Sequence, residues 1–237
     1  MINLVYPASC QSCGIRTGSW NENICAGCLK KLKERLPPFC RKCNRQLKGN
    51  SEPENICPDC RQSALYFDRA FSVFHYDETL RGLIHNFKYN KITCVAKEFS
   101  KLMTTFMKQH DIDREIDLIL SVPMHASRLF AREVNSSDIL ARDIAGKLAI
   151  RYSGAFLKKI KNTCAQSKLA RHERIRNIKD SFSLTRRGTG GARQKNILLV
   201  DDLFTTGATV NECARILKKA GSGRVDVITL ARGDSLS

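Results

Sequence analysis

The spacing of hydrophobic residues changes along the chain, and beyond residue 66 it alternates between the periods of strands and of helices. Residues 67–76 (FDRAFSVFHY) mix aromatic and β-favouring residues and predict a strand. Residues 116–122 (IDLILSV) and 197–200 (ILLV) are nearly continuous apolar runs, which are typical of strands buried on both faces of a parallel sheet. Residues 225–230 predict a last strand.

Helical spacing separates these strands. Helices are predicted over residues 78–87, 94–108, 137–149 and 209–220. We expect Ser136 or Ser137 to cap the third of these helices and Gly221 to end the fourth. Strands that alternate with helices predict an α/β fold, a doubly wound parallel sheet whose ligand crevice lies at the carboxyl ends of the strands.

The first 60 residues have a different pattern, which is dominated by cysteine. Eight of the eleven cysteines form four C-x-x-C pairs, Cys10/Cys13, Cys25/Cys28, Cys40/Cys43 and Cys57/Cys60. The two-residue gap lets both thiolates of a pair bind one metal ion, and two pairs complete a tetrahedral site. We therefore predict a small N-terminal module with two structural zinc sites, paired in sequential order. Interleaved pairing and iron–sulfur ligation remain alternatives.

The segment over residues 197–210 (ILLVDDLFTTGATV) carries the strongest chemical signal. Its apolar run leads into Asp201 and Asp202, and a loop of hydroxyls and glycine then opens a helix. Backbone N–H groups at a helix N-terminus bind phosphate, and the two acids suit a ribose diol or a hard divalent cation. The alternative is an ordinary helix cap. The G-x-x-x-x-G-K-[ST] loop of NTPases is absent from the sequence.

Charge and composition narrow the classes of partner. The net charge is +17, and residues 158–195 hold six lysines and six arginines against two acids. Such a segment attracts polyanions, either nucleic acid or a phosphate-rich substrate, although a solvated basic face remains the alternative. No apolar stretch reaches about 20 residues, so no membrane span is expected. The first residues lack the pattern of a secretory signal, which predicts a cytoplasmic protein with reduced cysteines.

The chain resembles the ComF family (competence protein F and GntX-like proteins), which joins a cysteine-rich zinc module to a type I phosphoribosyltransferase domain. The resemblance rests on five motifs in order along the chain. These are the C-x-x-C pairs; Tyr76 followed by Leu80-Arg81-x-Leu83-Ile84-x-x-Phe87-Lys88-Tyr89; Val122-Pro123; Gln166-x-x-Leu169-x₄-Arg174-x-x-Asn177 before Phe182; and the loop after Asp201 and Asp202. It implies a zinc module over residues 1–64 and a phosphoribosyltransferase-like domain over residues 65–237.

The resemblance also implies roles for individual residues. Asp201 and Asp202 are the catalytic candidates and would hold the ribose of phosphoribosyl pyrophosphate (PRPP), directly or through Mg²⁺. The 5′-phosphate would bind to Thr205, Thr206, Gly207, Ala208 and Thr209. Candidates for the pyrophosphate are Arg128, Arg132 and Lys88, because cationic side chains grip oxyanions. The charge and helical spacing of the basic segment, rather than the resemblance, make Lys168, Arg171, Arg174 and Lys179 the candidates for nucleic acid.

One segment departs from the family pattern. Family members carry R-G-F-N-Q after the Val-Pro strand, whereas residues 132–136 read REVNS.

Three functions stay open. The resemblance favours a PRPP-binding protein that serves DNA uptake or processing, with single-stranded DNA and competence proteins as partners. The alternatives are a metabolic phosphoribosyltransferase acting on a nucleobase or small amine, and a non-catalytic regulator that senses PRPP or nucleotides.

Overall fold

The protein is described by a computed structural model over residues 9–19, 22–47, 53–89, 93–132, 135–163 and 171–233. Its strands, in chain order, are β1 (Arg69–His75), β2 (Leu118–Ser121), β3 (Arg151–Ser153), β4 (Leu157–Lys159), β5 (Phe182–Leu184), β6 (Ile197–Phe204) and β7 (Val225–Arg232). Five of them form a sheet in the order β1-β7-β6-β2-β3, and every neighbouring pair in it is parallel. Strands β4 and β5 form a separate antiparallel pair.

Helices cover both faces of the parallel sheet. In chain order they are α1 (Ala26–Lys31), α2 (Pro58–Gln62), α3 (Glu78–Tyr89), α4 (Val95–Gln109), α5 (Ala126–Arg132), α6 (Ser136–Leu148), α7 (Arg171–Ile178), α8 (Arg186–Gly191) and α9 (Ala208–Lys219). Apolar side chains of α3, α4 and α6 pack on one face, and those of α9 pack on the other. In the part of the chain that the structure describes, no helix combines the length and apolarity that a bilayer crossing needs. The predicted doubly wound α/β fold is confirmed.

Strand β6 and helix α6 differ from the predictions in ways that matter for the site. The apolar run of β6 was expected to stop at Asp201, but the ladder with β7 continues, with Asp201 opposite Thr229 and Phe204 opposite Arg232. Neither Ser136 nor Ser137 caps α6. Asn135 is the cap residue, and its side-chain oxygen accepts a hydrogen bond from the backbone N–H of Ser137 at 3.2 Å. Both serine hydroxyls are thereby left for other partners.

The cysteine-rich module lies along the β1 edge of the sheet. The N–H of Ala70 donates to the carbonyl of Lys42 at 2.7 Å, and the N–H of His75 donates to that of Lys33 at 3.0 Å. An uncovered edge strand leaves backbone groups unpaired, so the module completes the sheet. Cys10 and Cys28 belong to the core on the α3 and α4 face, whereas Cys40, Cys43 and Cys57 belong to the core on the α9 face. The module therefore straddles the edge.

Candidate functional site

A cavity of about 400 Å³ opens where β2 and β6 end and α6 and α9 begin. This is the carboxyl edge of the parallel strands, where the sequence places the ligand crevice. Acidic, basic, hydroxyl and aromatic side chains line it, among them Tyr76, Lys88, Tyr89, Arg128, Asn135, Ser136, Ser137, Lys159, Asp201, Asp202, Thr205 and Thr209.

Two serines hold the two predicted carboxylates. The Ser137 hydroxyl donates to Oδ1 of Asp201 at 2.7 Å, and the Ser136 hydroxyl donates to Oδ2 of Asp202 at 2.6 Å. Burial, reinforced by the adjacent charge of Asp202, raises the pKa of Asp201 to about 7. The first turn of α6 therefore fixes the acids at the end of β6, and one of them takes up a proton close to neutral pH.

Lys88, at the end of α3, forms an ion pair with Asp202. Its Nζ lies 2.5 Å from Oδ1 of the carboxylate, and only 19% of its side chain is exposed. Burial opposes the charge of Lys88, but the Asp202 carboxylate outweighs it and raises the pKa of the lysine. The sequence predicts that Lys88 binds pyrophosphate, and in the structure its closest anion is Asp202. The pyrophosphate assignment stays a prediction.

The loop of residues 205–209 forms the wall of the cavity at the N-terminus of α9. Gly207 is the cap residue of this helix and has φ of +77°, a conformation that favours glycine. The hydroxyl of Thr206 accepts a hydrogen bond from the N–H of Ala208 at 3.3 Å. Thr205 and Thr209 face the cavity. The first N–H groups of a helix have no partner within the helix, so this loop presents donors suited to a phosphate.

Two further cations, Arg128 and Lys159, line the same cavity. Arg128 donates a hydrogen bond to the carbonyl of Thr163. Lys159 lies over the ring of Phe182, with Nζ 5.5 Å from the ring centroid, and no carboxylate of the described residues lies within 4.0 Å of it. Burial and the neighbouring charge of Arg128 lower the pKa of Lys159. Lys159 thus brings a positive charge to the cavity that no described acid neutralises by direct contact.

Sequence reasoning missed Lys159, Ser136 and Ser137 as site residues. The two serines carry a signal in retrospect, because they follow Asn135 in the segment that departs from the family pattern. Lys159 carries none, since it is one of twelve basic residues in its segment. Among the predicted candidates, Arg132 ends α5, and Arg171 and Arg174 lie on α7, but their side chains fall outside the described set, as does all of Lys168.

The eight paired cysteines form two groups in sequential order. The first four-cysteine site comprises Cys10, Cys13, Cys25 and Cys28, and the second comprises Cys40, Cys43, Cys57 and Cys60. Within each site the sulfur atoms lie within 4.8 Å of one another, with 3.8 Å between Cys13 and Cys25 and 3.7 Å between Cys43 and Cys57. Zn–S bonds of about 2.3 Å give a tetrahedron whose sulfur–sulfur edges are about 3.8 Å. Both sites fit zinc.

Basic side chains lie exposed around β4, β5 and α8. They are Lys158, Lys161, Arg176, Lys179, Arg186, Arg187, Arg193 and Lys195, and we call them the basic face. None of the eight has a carboxylate within 4.0 Å in the described ranges. Phe130 is 86% exposed on α5, two residues from Arg128. The sequence indicated few aromatics among the basic residues, and Phe130 is an exposed aromatic outside the 158–195 segment.

Comparison with known proteins identifies both parts of the chain. Residues 95–236 match the phosphoribosyl transferase domain, and residues 1–61 match the double zinc ribbon domain. The chain belongs to the phosphoribosyl transferase domain family. Its double zinc ribbon agrees with the two four-cysteine sites and supports structural zinc in them. The exact boundary between the two parts, predicted after residue 64, stays a prediction.

Several relatives are similar to this chain along most of their length. Competence protein F of Haemophilus influenzae is 28% identical over 88% of this chain and 90% of its own. DNA utilization protein YhgH of Salmonella typhimurium is 28% identical over 97% of this chain and 99% of its own. Competence protein ComFC of Bacillus subtilis is 28% identical over 90% of this chain and 85% of its own. The resemblance to the ComF family is confirmed.

Proposed function

We propose that this competence-related, phosphoribosyltransferase-like protein binds PRPP in the cavity at the end of β6. The observation that carries the proposal is the meeting in one cavity of the acid pair, the glycine loop at the N-terminus of α9, and Lys159, a cation with no carboxylate within 4.0 Å among the described residues. These three features suit the diol, the 5′-phosphate and the pyrophosphate of one ligand. The 5′-phosphate would accept hydrogen bonds from residues 205–209, and the ribose hydroxyls would donate to Asp201 and Asp202.

The pyrophosphate would bind to Lys159 and Arg128. Lys88 is already paired with Asp202, so it contributes less attraction for an anion than Lys159 does. The positive charges of Lys159 and Arg128 repel each other. An anion that binds between them relieves this repulsion, which favours binding of the anion. The charge of the cavity therefore favours a ligand with phosphate at both ends over ribose 5-phosphate.

The donor set is compatible with Mg²⁺ bound together with PRPP. Mg²⁺ takes oxygen ligands and keeps several waters, usually with one or two carboxylates and the phosphates of the substrate. Among the described residues no lysine forms an ion pair with Asp201, whereas Lys88 forms one with Asp202. Bound Mg²⁺ would supply positive charge to the pyrophosphate. Lys159 and Arg128 would stabilise the charge that develops on a departing pyrophosphate if C1 of the ribose reacts with an acceptor.

Titration calorimetry with PRPP and Mg²⁺ tests the binding proposal. We expect the wild-type protein to bind, and Asp201→Asn with Asp202→Asn to lose most of the affinity. Asp111→Asn is the matched control, because Asp111 is an exposed acid paired with Arg114 and distant in sequence from the site. Equal affinity in wild type and double variant would refute the assignment of the acids.

We also propose that the basic face binds single-stranded DNA and that the protein acts in the cytoplasm in DNA uptake or processing. Eight exposed cations with no carboxylate within 4.0 Å among the described residues support the DNA proposal, and so do the similar proteins, which are a competence protein and a DNA utilization protein. Exposed Phe130 offers a ring on which a base can stack, next to the arginine that borders the cavity.

Salt dependence distinguishes this surface from a cavity that accepts one small anion. Binding that neutralises six to ten phosphates weakens by about 10³–10⁵-fold between 50 and 200 mM salt. We expect this steep slope for an oligonucleotide, and a reduced slope in Arg186→Ser with Arg187→Ser. Fluorescence anisotropy measures both. An affinity for the oligonucleotide that does not change with salt would contradict the proposal.

Transfer of the phosphoribosyl group to a nucleobase is the second candidate function. The observation that favours it is Tyr89, which lines the cavity, is 52% exposed and lies beside His85 with ring centroids 4.8 Å apart. Such a ring can stack on a planar acceptor. Release of pyrophosphate from PRPP, screened over nucleobases and small amines, would establish this function. If no acceptor causes release, only the binding function remains.

A further inference from the structure

One buried arginine contacts both the zinc module and the end of β6. Arg232 is the last residue of β7 and is 4% exposed. Its Nη1 donates a hydrogen bond to the backbone carbonyl of Cys43 at 2.5 Å. Its guanidinium lies over the ring of Phe204, 4.5 Å from the centroid. Since Cys43 belongs to the second four-cysteine site, Arg232 joins that site to the strand that carries the acid pair.

Phe204 lies directly against the loop of residues 205–209. A Cβ added to Gly207 would lie 2.5 Å from Cζ of Phe204, which means that the glycine backbone rests on the phenyl ring. The ring is 3% exposed, and Phe67 meets it edge-on with centroids 6.1 Å apart. Cores are closely packed, so a shift of this ring displaces the backbone of Gly207.

Electrostatics favours Arg232 in this place. A zinc ion bound by four thiolates carries a net negative charge, and a buried guanidinium beside it offsets that charge. The carbonyl of Cys43 also satisfies one of the donors that the buried guanidinium presents. The second four-cysteine site therefore supplies both a hydrogen-bond acceptor and a compensating charge for Arg232.

We propose that Arg232 is a positioning residue through which the second four-cysteine site holds the phosphate-binding loop in place. The order of contacts is Cys43, Arg232, Phe204 and Gly207. The first four-cysteine site packs in the core of α3 and α4, on the other face of the sheet. The inference deepens the proposed function, on which its ligand-binding part rests.

A matched pair of buried arginines allows a controlled test. Arg35 is 6% exposed, donates from Nη1 to the carbonyl of Asn44 at 2.6 Å and lies 5.1 Å from the ring centroid of Phe39. Arg35 thus makes the same two kinds of contact as Arg232, a hydrogen bond to a carbonyl and a contact with a phenyl ring. Its ring is that of Phe39 in the cysteine-rich module, whereas the ring of Phe204 lies against the loop. Arg232→Met, Arg232→Lys and Arg35→Met are compared with wild type in the full-length protein.

Hydrogen exchange of residues 205–209, measured without ligand, is the first readout, and bound zinc is measured alongside it. In Arg232→Met we expect exchange in the loop to be about ten-fold faster and the affinity for ribose 5-phosphate about ten-fold weaker, with two zinc ions retained. Arg232→Lys should recover part of the loss. Arg35→Met should lower thermal stability while leaving loop exchange close to that of wild type.

Two results would overturn the inference. One is unchanged loop exchange in Arg232→Met that retains its zinc, and the other is equally accelerated exchange in Arg35→Met that also retains its zinc. If Arg232→Met loses zinc, Phe204→Leu tests the last contact of the series while leaving the Cys43 contact in place, and unchanged loop exchange there also overturns the inference. If wild-type protein binds neither ribose 5-phosphate nor PRPP, the proposed function fails, and loop exchange still decides whether Arg232 positions the loop.

Discussion

At the scale of single residues, the site is defined by how each charge in the cavity is neutralised. Asp202 forms an ion pair with Lys88 and accepts a hydrogen bond from Ser136. Asp201 accepts a hydrogen bond from Ser137, and its raised pKa lets it take up a proton near neutral pH. The ammonium group of Lys159 lies over the ring of Phe182, and no carboxylate among the described residues lies within 4.0 Å of it. These differences give the residues separate roles, which a count of charges along the chain does not reveal.

Replacing Lys159 tests its role as a pyrophosphate ligand. Because a hydrogen bond to a charged group contributes about 1.5–3 kcal/mol, Lys159→Met should weaken PRPP binding by roughly 10–100-fold and leave ribose 5-phosphate affinity nearly unchanged. Calorimetry with the two ligands measures the difference. Lys161→Met is the control, since Lys161 is an exposed cation two residues away. Equal losses for both ligands would show that Lys159 acts on the whole site instead.

The buried carboxyl of Asp201 gives a stability effect with a defined sign. Its pKa in the folded protein is about 7, above the ordinary value of 3.8, so the folded state binds more protons and stability falls as pH rises from about 4 to 7. Asp201→Asn keeps Oδ1, which accepts both hydrogen bonds, and removes the charge.

We therefore expect Asp201→Asn to melt higher than wild type at pH 8, by about 3 °C, the shift that 1 kcal/mol produces in a domain of this size. The difference should shrink toward pH 4. Thermal denaturation at the two pH values measures it. Asp202→Asn should instead melt lower than wild type, because it leaves Lys88 without its anion. A lower melting temperature for both variants at pH 8 would contradict the expected sign.

At the scale of elements, the passage from β6 to α9 sets the shape of the loop of residues 205–209, to which we assign the 5′-phosphate. The strand continues past the acids to Phe204, and the chain then turns at Gly207 with positive φ before α9 begins. Both a left-handed backbone and a ring in contact with the Cα of Gly207 limit this position to glycine. Strand, ring and glycine together place the N–H groups of α9.

Gly207→Ala should be costly in both stability and ligand binding. The left-handed conformation costs a residue with a Cβ about 1–2 kcal/mol, and the methyl group would also overlap the ring of Phe204. Urea denaturation measures the loss of stability, and calorimetry with ribose 5-phosphate should show loss of binding. Gly190→Ala is the control, because nothing lies within 4 Å of its added Cβ. A Gly207→Ala protein with wild-type stability would contradict both the conformational cost and the overlap with the ring.

At the scale of the whole molecule, the zinc module is part of the sheet domain in structural terms. Backbone hydrogen bonds join it to β1, and the two four-cysteine sites enter the cores on the two faces of the sheet. Structural zinc sites contribute directly to folding free energy. Loss of metal should therefore uncover the β1 edge and open both cores together.

Removal of zinc tests this coupling. We expect two zinc ions per chain as purified, and a chelator should release them in the same transition in which the sheet domain unfolds. Metal analysis and circular dichroism follow the two processes on the same sample. A sheet domain that keeps its melting temperature after both ions have left would show that the module is independent.

The sequence by itself determined the alternation of strands and helices, the four cysteine pairs, the family resemblance and the glycine loop between β6 and α9, because these depend on spacing over a few residues. Only the tertiary structure decided how distant segments meet. It brought Ser136 and Ser137 to the acids, turned Lys88 toward Asp202, placed Lys159 in the cavity and set Arg232 between Cys43 and Phe204. Such contacts arise between elements far apart in the chain, so spacing over a few residues does not specify them.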